Sequence, residues 1–192
     1  SKGKVFVRGR EVFISTPKQA IHRGIALLTE DRKKDGFIGI MSVGQNSTLA
    51  SLQQVSNRSL LVRQKEIGKA REFITKINIK TTGESENIMS LSGGNQQKVV
   101  LAKWLMTEPD ILLLDEPTRG IDVGAKEQIY ELMGDLAEKG KGIVFISSEL
   151  PELVGMCDRY LVIQDGRICN EFRRGEVDEE GLLQSAVCVD DQ

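Results

Sequence analysis

The sequence predicts a layered α/β fold with a mostly parallel sheet. Three apolar runs, GIALLTE, ILLLDEP and GIVFISSE, are short enough for strands and end in polar residues, and segments with helical apolar spacing separate them. With 192 residues, 40% of them hydrophobic and 28% charged, the chain can bury a core.

The first stretch alternates apolar and polar residues. VFVRG and EVFIST, turning at Gly9 and Arg10, predict a small antiparallel hairpin. A short helix follows at 17–23, then the GIALLTE strand from Gly24, expected to be buried and to end in Glu30. DRKKDG reads as a charged loop, and 38–46 as irregular. Residues 47–89 carry few strand formers. Within them Ile67, Ala70, Phe73, Ile74 and Ile77 recur at three- and four-residue intervals and predict a helix with a packed face. LSGGNQQK (91–98) leads into VVLAKWLMTEP, a second helix stopped by Pro109. The ILLLD strand comes next, and Asp122 then caps a helix whose stripe is Ile129, Leu132, Met133, Leu136 and Ala137, closed by GKG. GIVFISSE is expected to be a buried strand. RYLVIQDGRI predicts two strands about a DG turn, and LLQSAV in the acidic tail predicts a terminal helix. These elements divide the chain into a β part at 1–36, a helical subdomain at 37–105, a core sheet at 106–170 and a tail at 171–192.

Composition narrows the function. Lysine and arginine number 26 against 28 acids, a net charge of −2 with the charges spread along the chain, so no nucleic-acid footprint is present. No apolar run reaches the roughly 18 residues of a membrane span. Cys157, Cys169 and Cys188 lack CxxC spacing and His22 is the only histidine, which argues against zinc and predicts three reduced thiols.

Ligands of an open parallel sheet sit beyond the carboxyl ends of its strands, so the residues there belong together: Glu30, Asp115 with Glu116, and Ser147 with Ser148. A leucine strand ending in two acids places carboxylates beside an apolar core, which is costly without a cation or hydrogen-bond donors. Magnesium on Asp115, with Glu116 orienting and deprotonating a water, would meet that need; capping of the next turn would meet it too. LSGG has two readings as well. It is an ordinary helix start, or a turn whose glycines and first-turn amides receive a phosphate, with Ser92 adding a hydroxyl.

LSGGNQQK, then ILLLDEPTRGIDVGAKEQIYEL, then IVFISSELPEL and CDRYLVIQDGRI, in that order over essentially the whole chain, resemble the nucleotide-binding domain of an ABC transporter ATPase. GIALLTEDRKKDG and KWLMTEPDILLLDEPTRGIDVGAK narrow the resemblance to the second, C-terminal domain of the tandem ATPases of bacterial sugar importers of the ribose, xylose and galactose or methyl-galactoside type. The resemblance implies a P-loop-NTPase-like core with an inserted helical subdomain and a small antiparallel β edge, and ATP and Mg2+ as cofactors. It implies that Ser92, Gly93 and Gly94 touch the γ-phosphate of an ATP held by a partner domain, with Asn95 and Gln96 also among the nucleotide-binding residues. Asp115, with Glu30, would serve magnesium, Glu116 would polarise the attacking water, Asp122 would report across the dimer interface, and Ser148 would stand at the switch position.

Implied partners are an upstream nucleotide-binding domain of the same parent chain, sugar permease subunits contacted through 38–59, and indirectly a periplasmic sugar-binding protein, all at the cytoplasmic face of the bacterial inner membrane. A soluble ABC ATPase of DNA repair or translation would need long heptads or a basic stripe, and neither occurs. Three positions depart from the family pattern: Glu30 replaces a glutamine, Ser148 a histidine and Asn95 a glutamine. GxxxxGK[ST] occurs nowhere, so the P-loop strand and helix are expected upstream of residue 1, and the fragment alone is expected to be inactive. A signature-donating lobe with no catalysis of its own is the second reading.

Overall fold

The computed structural model describes residues 3–186. They divide into two units, Ser1–Val144 and Phe145–Gln192. The expected segments 1–36 and 37–105 fall within the first unit.

In the first unit, β1 (Val5–Val7) and β2 (Arg10–Val12) form the expected hairpin. Its turn has positive φ at both Arg8 (51°) and Gly9 (72°), which matches the twist of the flanking strands. Thr16 caps α1 (Pro17–His22) by accepting from the Gln19 amide, with Pro17 in the first turn. β3 (Ile25–Leu28) then enters the sheet, parallel to the later ILLLD strand. DRKKDG is ordered rather than a loop: Asp31 accepts from the Lys33 and Lys34 amides and starts a π-helical turn over Arg32–Gly36.

Within 38–46, expected to be irregular, the chain turns helical from Val43. α2 (Val43–Thr48) carries a reciprocal capping box between Ser42 and Gln45. Its polar composition hides it, because the buried Ser47 and Thr48 hydroxyls donate back to the Val43 and Gly44 carbonyls. A two-residue-per-strand hairpin, β4 (Ser56–Asn57) and β5 (Leu60–Leu61), was not foreseen; Arg58 and Ser59 take the positive φ of its turn. α3 (Arg63–Lys76) buries Ala70 and Phe73, with Ile77 buried at its end, while Ile67 and Ile74 are half-buried. α4 (Gly93–Leu105) buries ten of its thirteen residues, and α2 packs against both α3 and α4.

β6 (Ile111–Asp115) pairs with β3 from Ile25↔Ile111 to Leu28↔Leu114. Ala26, Leu28, Leu112 and Leu114 are buried on one face, whereas Leu27 on the other is 45% exposed. α5 (Val123–Glu138) is capped by Asp122 and closed by Gly140 at φ 79°, with the Gly140 and Lys141 amides returning to Ala137 and Leu136. Of its stripe Ile129 and Met133 are buried, Leu132 and Leu136 half-buried, and Ala137 exposed. β7 (Gly142–Ile146) completes the order β3-β6-β7. It is not the buried strand expected, since each of its residues retains solvent exposure.

The second unit holds α6 (Leu150–Met156), then the hairpin of β8 (Arg159–Gln164) and β9 (Arg167–Arg173) about a turn at Asp165 and Gly166, both at positive φ. α7 (Glu179–Ser185), capped by Asp178, is the expected terminal helix and packs on α6. Cys169 is disulfide-bonded, which corrects the expectation of three reduced thiols; Cys157 is free and Cys188 lies outside the described residues. Among the described residues no helix is long and apolar enough to cross a membrane.

Candidate functional site

β6 delivers Asp115 and Glu116 to the carboxyl end of the sheet, half-buried, their carboxylates without a hydrogen bond or ion pair to other described residues. Glu116 stands at φ +48°, a left-handed conformation uncommon for a residue with a side chain. The following turn is closed by the Arg119 amide donating to the Glu116 carbonyl at 3.1 Å. The left-handed backbone at Glu116 turns the chain out of the strand line, and the Pro117 and Thr118 that follow are buried.

The start of α4 lies in the same unit. Ser92 is the exposed N-cap, yet its hydroxyl does not cap the helix. Instead it accepts from Asn95 Nδ2 at 2.9 Å, while Asn95 Oδ1 accepts from the Lys80 amide at 2.8 Å. The first-turn amides are therefore left without a side-chain cap, which is the condition for receiving an anion. Gly93 and Gly94 permit close approach to the segment after β6. A Cβ on Gly93 would stand 3.2 Å from the Gly120 carbonyl oxygen, and one on Gly94 would stand 2.4 Å from the Ala125 Cβ. Asp122, accepting from the Ala125 amide at 3.0 Å, sits beside Gly94.

Gln96 is different from its neighbours. It is buried and its amide donates to the Ile88 carbonyl at 3.2 Å, so its side chain serves the subdomain interior. Lys98, the last residue of LSGGNQQK, is also buried; it donates to the Asn78 carbonyl and to Gln128, and burial lowers its pKa, with Lys80 adding to the effect and Asp122 opposing it. The loop ahead of the helix is organised by Glu86, which accepts from Thr81, Thr82 and Ser90; these bonds hold its carboxyl at about 2.

Glu30, at the end of β3, is ion-paired with Arg119. With Asp31, Arg32, Lys33 and Gly120 these two residues line a cleft of about 300 Å³. No group of three or more metal-ligating side chains exists among the described residues. Magnesium ordinarily takes one or two carboxylates and completes its shell with water and phosphates, so Asp115 fits that requirement, whereas Glu30 would first have to leave Arg119. Ser148 is exposed in the second unit; its neighbour Ser147 donates to Glu152 at 2.7 Å and accepts from the Glu149 amide. Sequence reasoning missed Arg32, whose guanidinium reaches the carbonyls of Arg119 and Gly120; DRKKDG announces a charged segment but not a partner 87 residues away.

The fold is that of an ATP-binding cassette. An ATP-binding cassette from an ABC transporter, solved nucleotide-free, matches with a TM-score of 0.78 at 21% identity, covering 95% of this chain and 74% of that one. A dimeric cassette bound to ADP and Pi matches at 0.74 and 20% identity, covering 92% and 75%. The ABC transporter family model matches residues 1–119, and the chain belongs to that family. It is 48% identical over 190 residues to a ribose import ATP-binding protein of Clostridium perfringens (strain 13), covering 98% of this chain and 38% of that protein. Identity is 46% over 185 residues with a xylose import ATP-binding protein of Thermoanaerobacter pseudethanolicus, and 45% over 185 with a galactose/methyl galactoside import ATP-binding protein of Clostridium tetani. Each of these alignments covers 96% of this chain and 37% of the relative, so the chain spans well under half the length of the curated relatives it matches.

Proposed function

We propose that the chain is the C-terminal nucleotide-binding domain of a tandem ATPase that powers import of a monosaccharide of the ribose, xylose or galactose kind. The observation that carries this reading is the pairing, in one unit, of an uncapped glycine helix start at Ser92–Gly94 with Asp115 and Glu116 at a strand end. Asp115 would hold Mg2+ when MgATP is bound. That metal would supply charge neutralisation at the phosphates. Glu116, unpaired and directed by its left-handed backbone, accepts the proton of the attacking water. Ser92, oriented by Asn95, and the α4 amides face the γ-phosphate of an ATP on the partner domain, and Asp122 lies at that interface. Asn95 supplies an amide side chain there, and Gln96 contributes by fixing the helix start from inside.

The partners in this reading are an upstream nucleotide-binding domain of the parent chain, membrane permease subunits against 38–59, and through them a periplasmic sugar-binding protein, at the cytoplasmic membrane face. Ile40, 91% exposed, and Leu52, 43% exposed, suit such a contact. The experiment is uptake of labelled ribose, xylose and galactose by the full-length protein and its permease in liposomes. ATP-dependent uptake of at least one sugar, abolished by Glu116→Gln, is expected. Turnover of ATP with no uptake of any would refute the transport role.

A second reading is favoured by one observation, the capture of Glu30 by Arg119. In it this domain only presents its signature to the partner nucleotide. Glu116→Gln would then leave turnover untouched.

A further inference from the structure

Arg32 ties the segment after β3 to the loop after β6. Its Nη1 donates to the Arg119 carbonyl at 3.0 Å and its Nη2 to the Gly120 carbonyl at 3.3 Å. Arg119 closes the turn that opens at Glu116, its amide donating to the Glu116 carbonyl, and Gly120 follows directly. Arg119 in turn sends its own side chain back to Glu30, two residues before Arg32. The two arginines thus cross between the same pair of segments, one gripping main chain and the other a carboxylate.

The anchoring side of this brace is rigid. Arg32 starts the π-helical turn capped by Asp31, its carbonyl accepts from the Phe37 amide at 3.1 Å, and the far end of the turn, the Gly36 carbonyl, accepts from the buried Lys103 of α4. Gly93 lies under the guanidinium, where an added Cβ would come within 2.7 Å of Nη2. Arg32 Nε is buried without a partner, so the side chain is held in place for the two contacts its fork makes rather than for saturation of its own donors.

We propose that Arg32 is a positioning residue for Glu116. By fixing two successive carbonyls of the turn, it holds Glu116 in its left-handed conformation and keeps the loop against the start of α4, so that the base and the signature glycines are set by one guanidinium. The proposal rests on the reading of Glu116 as the catalytic base. A planar guanidinium can address two neighbouring carbonyls at fixed spacing; an ammonium on a flexible stem cannot.

The test uses the full-length protein assembled with its permease, with Glu116→Gln defining the share of ATP turnover that belongs to this site. Arg32→Ala is expected to lower that share of kcat by about tenfold to a hundredfold while KM for MgATP stays within about twofold, as misplacement of a reacting group does. Arg32→Lys is expected to restore the thermal transition but not kcat. Hydrogen exchange of the 118–122 amides is expected to quicken in Arg32→Ala, with the amides of β3 and β6 unchanged. The proposal is overturned if kcat and the transition temperature fall and recover together across the two variants, if KM rises with kcat unchanged, or if turnover survives in Arg32→Ala while Glu116→Gln abolishes it. Wild-type turnover in Glu116→Gln overturns the assignment of the base, and this proposal with it.

Discussion

Gly94→Ala sets two effects of known sign against each other. Glycine inside a helix is unfavourable relative to alanine by about 0.5–1 kcal/mol, so the substitution should stabilise α4 if nothing else intervened. The added methyl, however, would stand 2.4 Å from the Ala125 Cβ, and 3.6 Å from Asp122 Oδ2. Carbon atoms pack at about 3.5–4.0 Å, so more than an ångström must be recovered by moving whole elements, because the obstructing atom is a methyl fixed to the α5 backbone. Overpacking of this kind costs about 1–3 kcal/mol, which exceeds the propensity gain. A net loss of about 1–2 kcal/mol follows, seen in calorimetry of the full-length protein as a drop of about 2–4 °C per kcal/mol in the transition that contains this unit. The double variant Gly94→Ala, Ala125→Gly removes the overlap. Ala125→Gly alone should cost about 1 kcal/mol through helix propensity, yet in the Gly94→Ala background it should stabilise, giving a coupling energy of at least about 1 kcal/mol. Additive effects within about 0.5 kcal/mol would refute the close approach of α4 and α5 and with it the reason for the second signature glycine.

Two other outcomes follow from single side chains. Glu86 has a folded pKa depressed from 4.5 to about 2, so its contribution to stability is complete above 4.5 and is lost as pH falls toward 2; Glu86→Gln should flatten the acid side of the stability profile in that window, read by denaturation at successive pH values. Asn95→Asp keeps the acceptor for the Lys80 amide but loses the donor to Ser92 and adds a negative charge where a phosphate is to sit; the transition temperature should hold while ATP turnover falls, and Asn95→Gln should retain more turnover than Asn95→Asp.

Much of this architecture is written in periodicity. The β3 and β6 runs, the stripe of α5 with its Asp122 cap and Gly140 stop, and the DG hairpin all declare themselves through apolar spacing or turn residues. α2 does not, because its buried face is built from Asn46, Ser47 and Thr48, whose polar atoms are satisfied by nearby main chain. The burial of β7 was overestimated because a run of apolar residues does not say what covers each face. At the site, the strand-end carboxylates and signature glycines were legible as residue types. The inward turn of Gln96, the Arg119 hold on Glu30 and the reach of Arg32 depend on contacts between segments far apart in sequence, which no local pattern encodes.

The central claim is that Ser92–Asn95 close over a phosphate held by the partner domain. Ser92→Arg in the full-length protein assembled with its permease tests it most directly, because Ser92 is exposed and, among the described residues, its hydroxyl bonds only to Asn95, so an arginine there is tolerated by the fold. The account predicts that ATP turnover falls by at least about a hundredfold, the scale of removing a preorganised donor from a transition state, while the protein stays folded and MgATP still binds. Turnover at the unsubstituted rate with arginine at position 92 would contradict it.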